Sequence, residues 1–129
     1  MKKRWISLCV CILILASFLT GCGMNTRKIK FGAAGLGGTY RVFGDTFANL
    51  VTSKNKKYSM EVKTTAGSAA NLRLLSDGYI QMAIAQMDLT NDAYERTGIF
   101  ENEKKQGGYS AVAALYTEAC QVVVRADSG

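Results

Sequence analysis

The sequence has no histidine and no proline, one tryptophan, and only four cysteines in 129 residues. Without histidine there is no Ser-His-Asp or Cys-His nucleophile and no histidine-held zinc. Without proline, one of the usual markers of turns and boundaries is gone. No CxxC pair occurs, so paired-thiol redox or metal chemistry is not indicated. Positive charge is scarcer than the formal +6 suggests. Setting Lys2, Lys3 and Arg4 aside from the 16 basic residues leaves 13 against 10 acidic ones, a net +3. The densest basic run, Lys54-Asn-Lys-Lys57, suits a solvated turn, and no nucleic-acid partner is implied. Gly-Lys-Ser/Thr is missing, which excludes a P-loop. The glycines at 35, 37 and 38 put Tyr40 where a dinucleotide fingerprint needs its last glycine.

What is present begins with a leader. Lys2, Lys3 and Arg4 precede 14 uncharged residues, Trp5 to Phe18. A membrane-spanning helix needs about 20 residues to cross roughly 30 Å, so the run suits a signal peptide over residues 1–21 instead. It ends in Leu19-Thr-Gly-Cys22, which resembles the lipobox of bacterial lipoproteins. The resemblance implies diacylglyceryl transfer to Cys22, cleavage before it, and export with anchoring to the outer face of the cell membrane or in the periplasm. Two or more acyl chains hold durably where one is marginal. Residues 22–27 are a polar tether. Cys9 and Cys11 leave with the leader, and Cys120, in the apolar run 119–124, is expected to be a small buried side chain.

Beyond the tether, strand and helix patterns alternate. Residues 28–33 and 58–62 show period-two alternation, and 80–84 is a short apolar strand. Tyr40, Phe43, Phe47, Leu50 and Val51 follow helical spacing to about Ser53. Ser68 is expected to cap a second helix that stops at Gly78. Asp88 or Thr90 is expected to cap a third helix reaching Tyr94. Residues 111–116 and 121–125 suit two more strands. The predicted order β-α-β-α-β-α-β-β gives an α/β fold with a mainly parallel sheet and flanking helices.

Ligands of such sheets sit beyond the strands' carboxyl ends. Three of those ends are small and polar: Gly35-Leu-Gly-Gly-Thr-Tyr40, Ala66-Gly-Ser-Ala-Ala-Asn71, and Ala85-Gln-Met-Asp88. Backbone N–H groups at Gly37 and Gly38, hydroxyls of Thr39 and Ser68, and amides of Asn71 and Gln86 form a receptor for a carboxylate. Helix N-termini favour an anion by about 0.3–1 kcal/mol each. No catalytic group, metal or cofactor is implied.

These motifs, with Thr65-Ala-Gly-Ser-Ala-Ala-Asn-Leu-Arg-Leu-Leu75, Met82-Ala-Ile-Ala-Gln-Met-Asp88, Asp92-Ala-Tyr94 and Val122-Val-Val-Arg-Ala-Asp-Ser-Gly129, resemble the TAXI-type solute-binding subunits of TRAP transporters. The resemblance covers residues 28–129. It implies a two-lobed periplasmic-binding-protein-like fold that holds a glutamate- or glutamine-like amino acid or a dicarboxylate. It also implies handover to an integral membrane TRAP permease driven by an ion gradient. Thr39, Tyr40, Ser68, Asn71 and Gln86 match the family's cleft positions, and Tyr116 is a further candidate. Core packing is the other role open to Tyr40, and helix capping the other role open to Asn71 and Asp88. Residues 28–129 suffice for a partial first lobe only, with an open sheet edge. On that expectation these residues alone bind ligand poorly. A surface lipoprotein without transport duty, or a truncated relic, are the alternatives. Labelled palmitate is expected to enter the protein, and C22S is expected to abolish the label; label retained by C22S would remove the lipoprotein assignment.

Overall fold

The structure, a computed structural model, describes residues 26–128. The leader, the lipidation residue Cys22 and tether residues 22–25 lie outside the described residues. β1 (Arg27–Gly32) is the central strand of a three-stranded sheet ordered β2-β1-β3. β2 (Tyr58–Lys63) runs parallel along its whole length, Arg27 opposite Tyr58 and Gly32 opposite Lys63. β3 (Met82–Ala83) is parallel on the other side, opposite Phe31 and Gly32. Each strand is followed by a helix: α1 (Thr39–Lys54), α2 (Ser68–Ser76) and α3 (Met87–Glu95). A 3-10 turn, Gly98–Phe100, comes after α3. This is an α/β architecture of parallel strands with flanking helices, that of part of a periplasmic-binding-protein-like lobe.

The two faces of β1 differ because side chains alternate across a strand. Phe31 points to α1 and packs with Phe47, ring centroids 6.1 Å apart, while Phe43 stacks on Phe47 at 5.8 Å. Gly44 lets α1 settle closely here, since a Cβ at that position would stand 3.1 Å from both Phe31 Cε1 and Val62 Cγ1. On the opposite face Gly32 leaves room for α2. A Cβ there would lie 2.6 Å from Asn71 Oδ1 and from Ile80 Cδ1. Beyond Asn71, Leu72 of α2, Ala93 of α3 and Phe100 form a second buried cluster.

Asn71 is fully buried and binds the sheet from below. Its Nδ2 donates to Ala33 O at 2.7 Å, to Ile84 O at 2.8 Å and, more weakly, to Gly32 O at 3.3 Å. The backbone continues the pairing past the regular ends of the strands, Ala33 N to Lys63 O at 3.0 Å and Ile84 N to Gly32 O at 3.1 Å. At the other end of β3, Gln81 N donates to Lys30 O, and Gln81 Oε1 takes the Lys30 N–H, both at 3.0 Å.

Several sequence expectations are corrected. Residues 111–116 and 121–125 form no strand, with Val112, Val122, Val123 and Val124 between 71% and 89% exposed. Strand-forming residues make a strand only where a ladder partner exists, and β3, two residues long, offers little edge. The third strand expected over 80–84 shrinks to that pair. Cys120 is exposed, because its segment leaves the core. Ser68 is the first residue of α2, whose N-cap is Gly67. Gln86 precedes α3 without a side-chain cap, and Thr90 Oγ1 donates back to Gln86 O at 2.7 Å.

Residues 101–107 fold back over α2. Arg73 grips Glu103 through Nε at 2.9 Å and Nη2 at 2.5 Å and stacks over Phe100 at 4.8 Å. Lys104 pairs with Asp77, and Gly107 N donates to Ser76 Oγ at 3.2 Å.

N71A is expected to cost about 2–3 kcal/mol. It deletes a buried amide that makes two strong bonds and one weak one, and it leaves the Ile84 carbonyl short of a donor. A urea-unfolding midpoint unchanged from wild type would contradict that account.

Candidate ligand-binding cleft

The strand order places β1 between its two neighbours, so the chain leaves β1 to one side for β2 and returns to the other side for β3. At such a reversal the loops after adjacent strands diverge and leave a crevice at the carboxyl ends. Here the loop after β1 (residues 33–38) and the loop after β3 (residues 84–86) border it.

The loop after β1 is a tight turn, Gly38 N donating to Gly35 O at 3.1 Å, and it delivers Thr39 and Tyr40 to the start of α1. Gly37 and Thr39 are exposed, and Gly38 and Tyr40 are half-buried. The loop after β2 is pinned by Thr65, whose Oγ1 donates to Ala33 O at 2.8 Å and accepts from Gly67 N at 3.2 Å. It brings Ser68, buried, to the start of α2. Gln86, exposed, opens the approach to α3.

Three of these residues meet. Gln86 N donates to Ser68 Oγ at 3.0 Å, Ser68 Oγ lies 3.4 Å from the Tyr40 hydroxyl, and that hydroxyl donates to Glu118 Oε2 at 3.1 Å. Tyr40 has one hydrogen and gives it to Glu118. The hydrogen between Ser68 and Tyr40 is therefore serine's. Tyr116 meets Tyr40 edge to face, centroids 6.5 Å apart. Tyr40 thus both touches the core beside Phe31 and presents its hydroxyl at the crevice. Asn71 is not at the surface of this group; its amide is committed to the strand ends underneath.

The crevice widens into a cleft of about 1190 Å³. Phe31, Tyr40, Phe43 and Ile84 form one side, and residues 108–120 line the other. Its charged lining residues are Asp88 and Glu118, with no lysine or arginine among them. Burial pushes the Tyr40 phenol above its ordinary value of 10.0. The Ser68 hydrogen bond acts against this, and the hydrogen bond and charge of Glu118 and the charge of Asp88 act with it. Burial raises Tyr109 and Tyr116 as well, and the Glu118 charge adds to the rise at Tyr116.

Glu118 was not among the residues singled out from the sequence. No sequence signal marks it, since its role comes from a contact with Tyr40 far away in the chain. Among the described residues no group of three or more His, Cys, Asp or Glu is placed to hold a metal ion.

The sequence profile of the NMT1-like family matches residues 31–129, from inside β1 through every helix and the cleft-crossing segment. The chain belongs to the NMT1-like family. That family is periplasmic-binding-protein-like and related to solute-binding proteins; it is a family of binding proteins and not of enzymes. A general solute-binding role follows, with a small solute as its partner.

The three raised phenols mean that the folded chain keeps protons the unfolded chain releases. Their contribution is full below about pH 10, the unfolded value, and is lost as pH rises through the higher folded values. Urea midpoints are expected to fall between about pH 8 and about pH 11. The fall should be smaller in Y109F, whose phenol is raised by burial alone. An equal fall in Y109F would show that this phenol carries none of the effect.

Proposed function

We propose that this protein is an extracytoplasmic, lipid-anchored solute receptor that delivers a small carboxylate to an ion-gradient-driven TRAP permease. The solute is a glutamate- or glutamine-like amino acid or a dicarboxylate. Gly37, Gly38, Thr39, Tyr40, Ser68 and Gln86 are the proposed ligand contacts, Asn71 fixes the strand ends that carry them, and Tyr116 walls the cleft. Cys22 holds the lipid.

The observation that carries the reading is the hydrogen-bonded chain Gln86–Ser68–Tyr40, which joins the starts of three helices at one end of the sheet. Of the proposed contacts, Tyr40, Gln86 and Tyr116 line a cleft whose walls are mostly apolar, as small-solute sites require, while Gly37, Gly38, Thr39 and Ser68 do not line it. The start of α2 adds first-turn N–H groups aimed toward the same end. Family membership supports a binding role over chemistry.

A thermal-shift panel of amino acids and dicarboxylates tests this. A solute at 100 times its Kd stabilises the folded state by about 2.7 kcal/mol. The panel is run at tens of millimolar, where the weak binding expected of a partial lobe still registers; at least one member is expected to raise the melting temperature of the wild type and to do so less in S68A, which breaks the chain at its centre. A panel without effect on the wild type would sink the reading. Uptake of the active solute by cells should collapse when the ion gradient is dissipated and persist when ATP alone is depleted.

A further inference from the structure

Positive charge is gathered at one corner of the sheet, where the strands begin, at the end away from the cleft. Arg27, Lys28 and Lys30 lie on β1, Lys54 closes α1, and Lys56 and Lys57 lead into β2. Parallel pairing sets Arg27 opposite Tyr58, so both strands start at this corner. Asn55 shapes the turn between α1 and β2. Its Oδ1 takes the Lys57 N–H at 3.0 Å and its carbonyl takes the Tyr58 N–H at 3.2 Å. Arg27 N donates to Lys57 O at 2.8 Å and Thr26 Oγ1 donates to Lys56 O at 3.4 Å, which ties the entry of β1 to that turn. All six basic residues are exposed, and none of the ion pairs among the described residues includes one of them. Residues 26–30 and 54–60 contain no acid, whereas the rest of residues 22–129 carries seven basic residues against ten acidic ones. Glu61, opposite Lys30, is already engaged by Lys63 at 2.6 Å.

Like charges gathered without partners repel one another, and by itself such a run is left to solvent and counterions. Position makes this one different. Five peptide links separate Cys22 from Arg27, and a chain of that length reaches at most about 18 Å. A lipid on Cys22 therefore keeps the corner within about two Debye lengths of the headgroups at physiological salt. Clusters of about four to eight Lys and Arg beside a membrane bind anionic lipid surfaces. We propose that this corner is a docking surface for the anionic phospholipid headgroups around the anchor. Docked there, the domain stands on the starting ends of β1 and β2. The cleft end, about 17 Å further along strands of this length, faces away from the bilayer and open to solute. This rests on the lipid-anchor part of the reading above.

Lysine acetylation by a water-soluble reagent, read site by site by mass spectrometry, tests the docking. The lipoprotein is inserted into preformed vesicles of phosphatidylcholine, either pure or with about a third of the lipid replaced by phosphatidylglycerol. Lys28, Lys56 and Lys57 are expected to react about fivefold more slowly on the anionic vesicles than on the neutral ones. Lys63, at the far end of β2, is expected to react equally on both. In about 0.5 M sodium chloride, where the Debye length is about 4 Å, the difference should vanish. The triple variant K54Q/K56Q/K57Q changes exposed positions only and should bring Lys28 to within about twofold on the two vesicles. Equal reactivity of Lys28 on both vesicles overturns the docking surface, as does slowing of Lys63 by the same factor or an undiminished difference in the triple variant. Retardation of duplex DNA at the same salt, without protection on anionic vesicles, assigns the corner to nucleic acid instead. Flotation with the neutral vesicles separates the two readings, because charge contributes nothing there. A chain that floats without protection on anionic vesicles keeps the anchor and loses the docking surface. A chain that does not float overturns the anchor and the docking with it.

Discussion

One side-chain amide holds the binding end of this sheet together. β3 pairs with β1 over only two residues, too few for a parallel ladder to be secure by itself. Asn71 joins the two strands from outside the ladder, taking Ala33 O on one and Ile84 O on the other. Because it sits in α2, the same bonds fix that helix against the sheet. Everything at the cleft hangs from those three pieces: Tyr40 follows β1, Ser68 opens α2 and Gln86 follows β3. The glycine at position 32 is the counterpart of this asparagine, since any side chain there would drive Asn71 away.

Much of this was readable from residue pattern. Alternation at Ile29 and Phe31, and at Tyr58, Met60 and Val62, located the first two strands because period two has no competitor over such short runs. Helical spacing of Tyr40, Phe43 and Phe47 located α1, whose apolar stripe meets Phe31 directly. The three polar strand ends were legible because glycine, serine and threonine cluster where a strand must turn into a helix. The capping details were not. Ser68 has the right chemistry for an N-cap, yet its hydroxyl serves Gln86, and only tertiary placement shows that.

The least legible part was the stretch after residue 108. Its valines, alanines and tyrosine have the composition of strands, and composition carries no information about whether a partner strand is alongside. The two strands expected there do not form. Glu118 was overlooked for a related reason. A lone acid among apolar residues gives no periodic signal, and its meaning comes from Tyr40, 78 positions earlier in the chain.

The chain from Gln86 to Glu118 begins at a backbone N–H, a group that can donate but never accept. That fixes the first link only; the next is fixed from the far end, where Glu118 takes the Tyr40 hydrogen and leaves Ser68 to donate to Tyr40. A free tyrosine hydroxyl can rotate to greet a donor or an acceptor equally well. This one is wired one way for as long as Glu118 stands beside it.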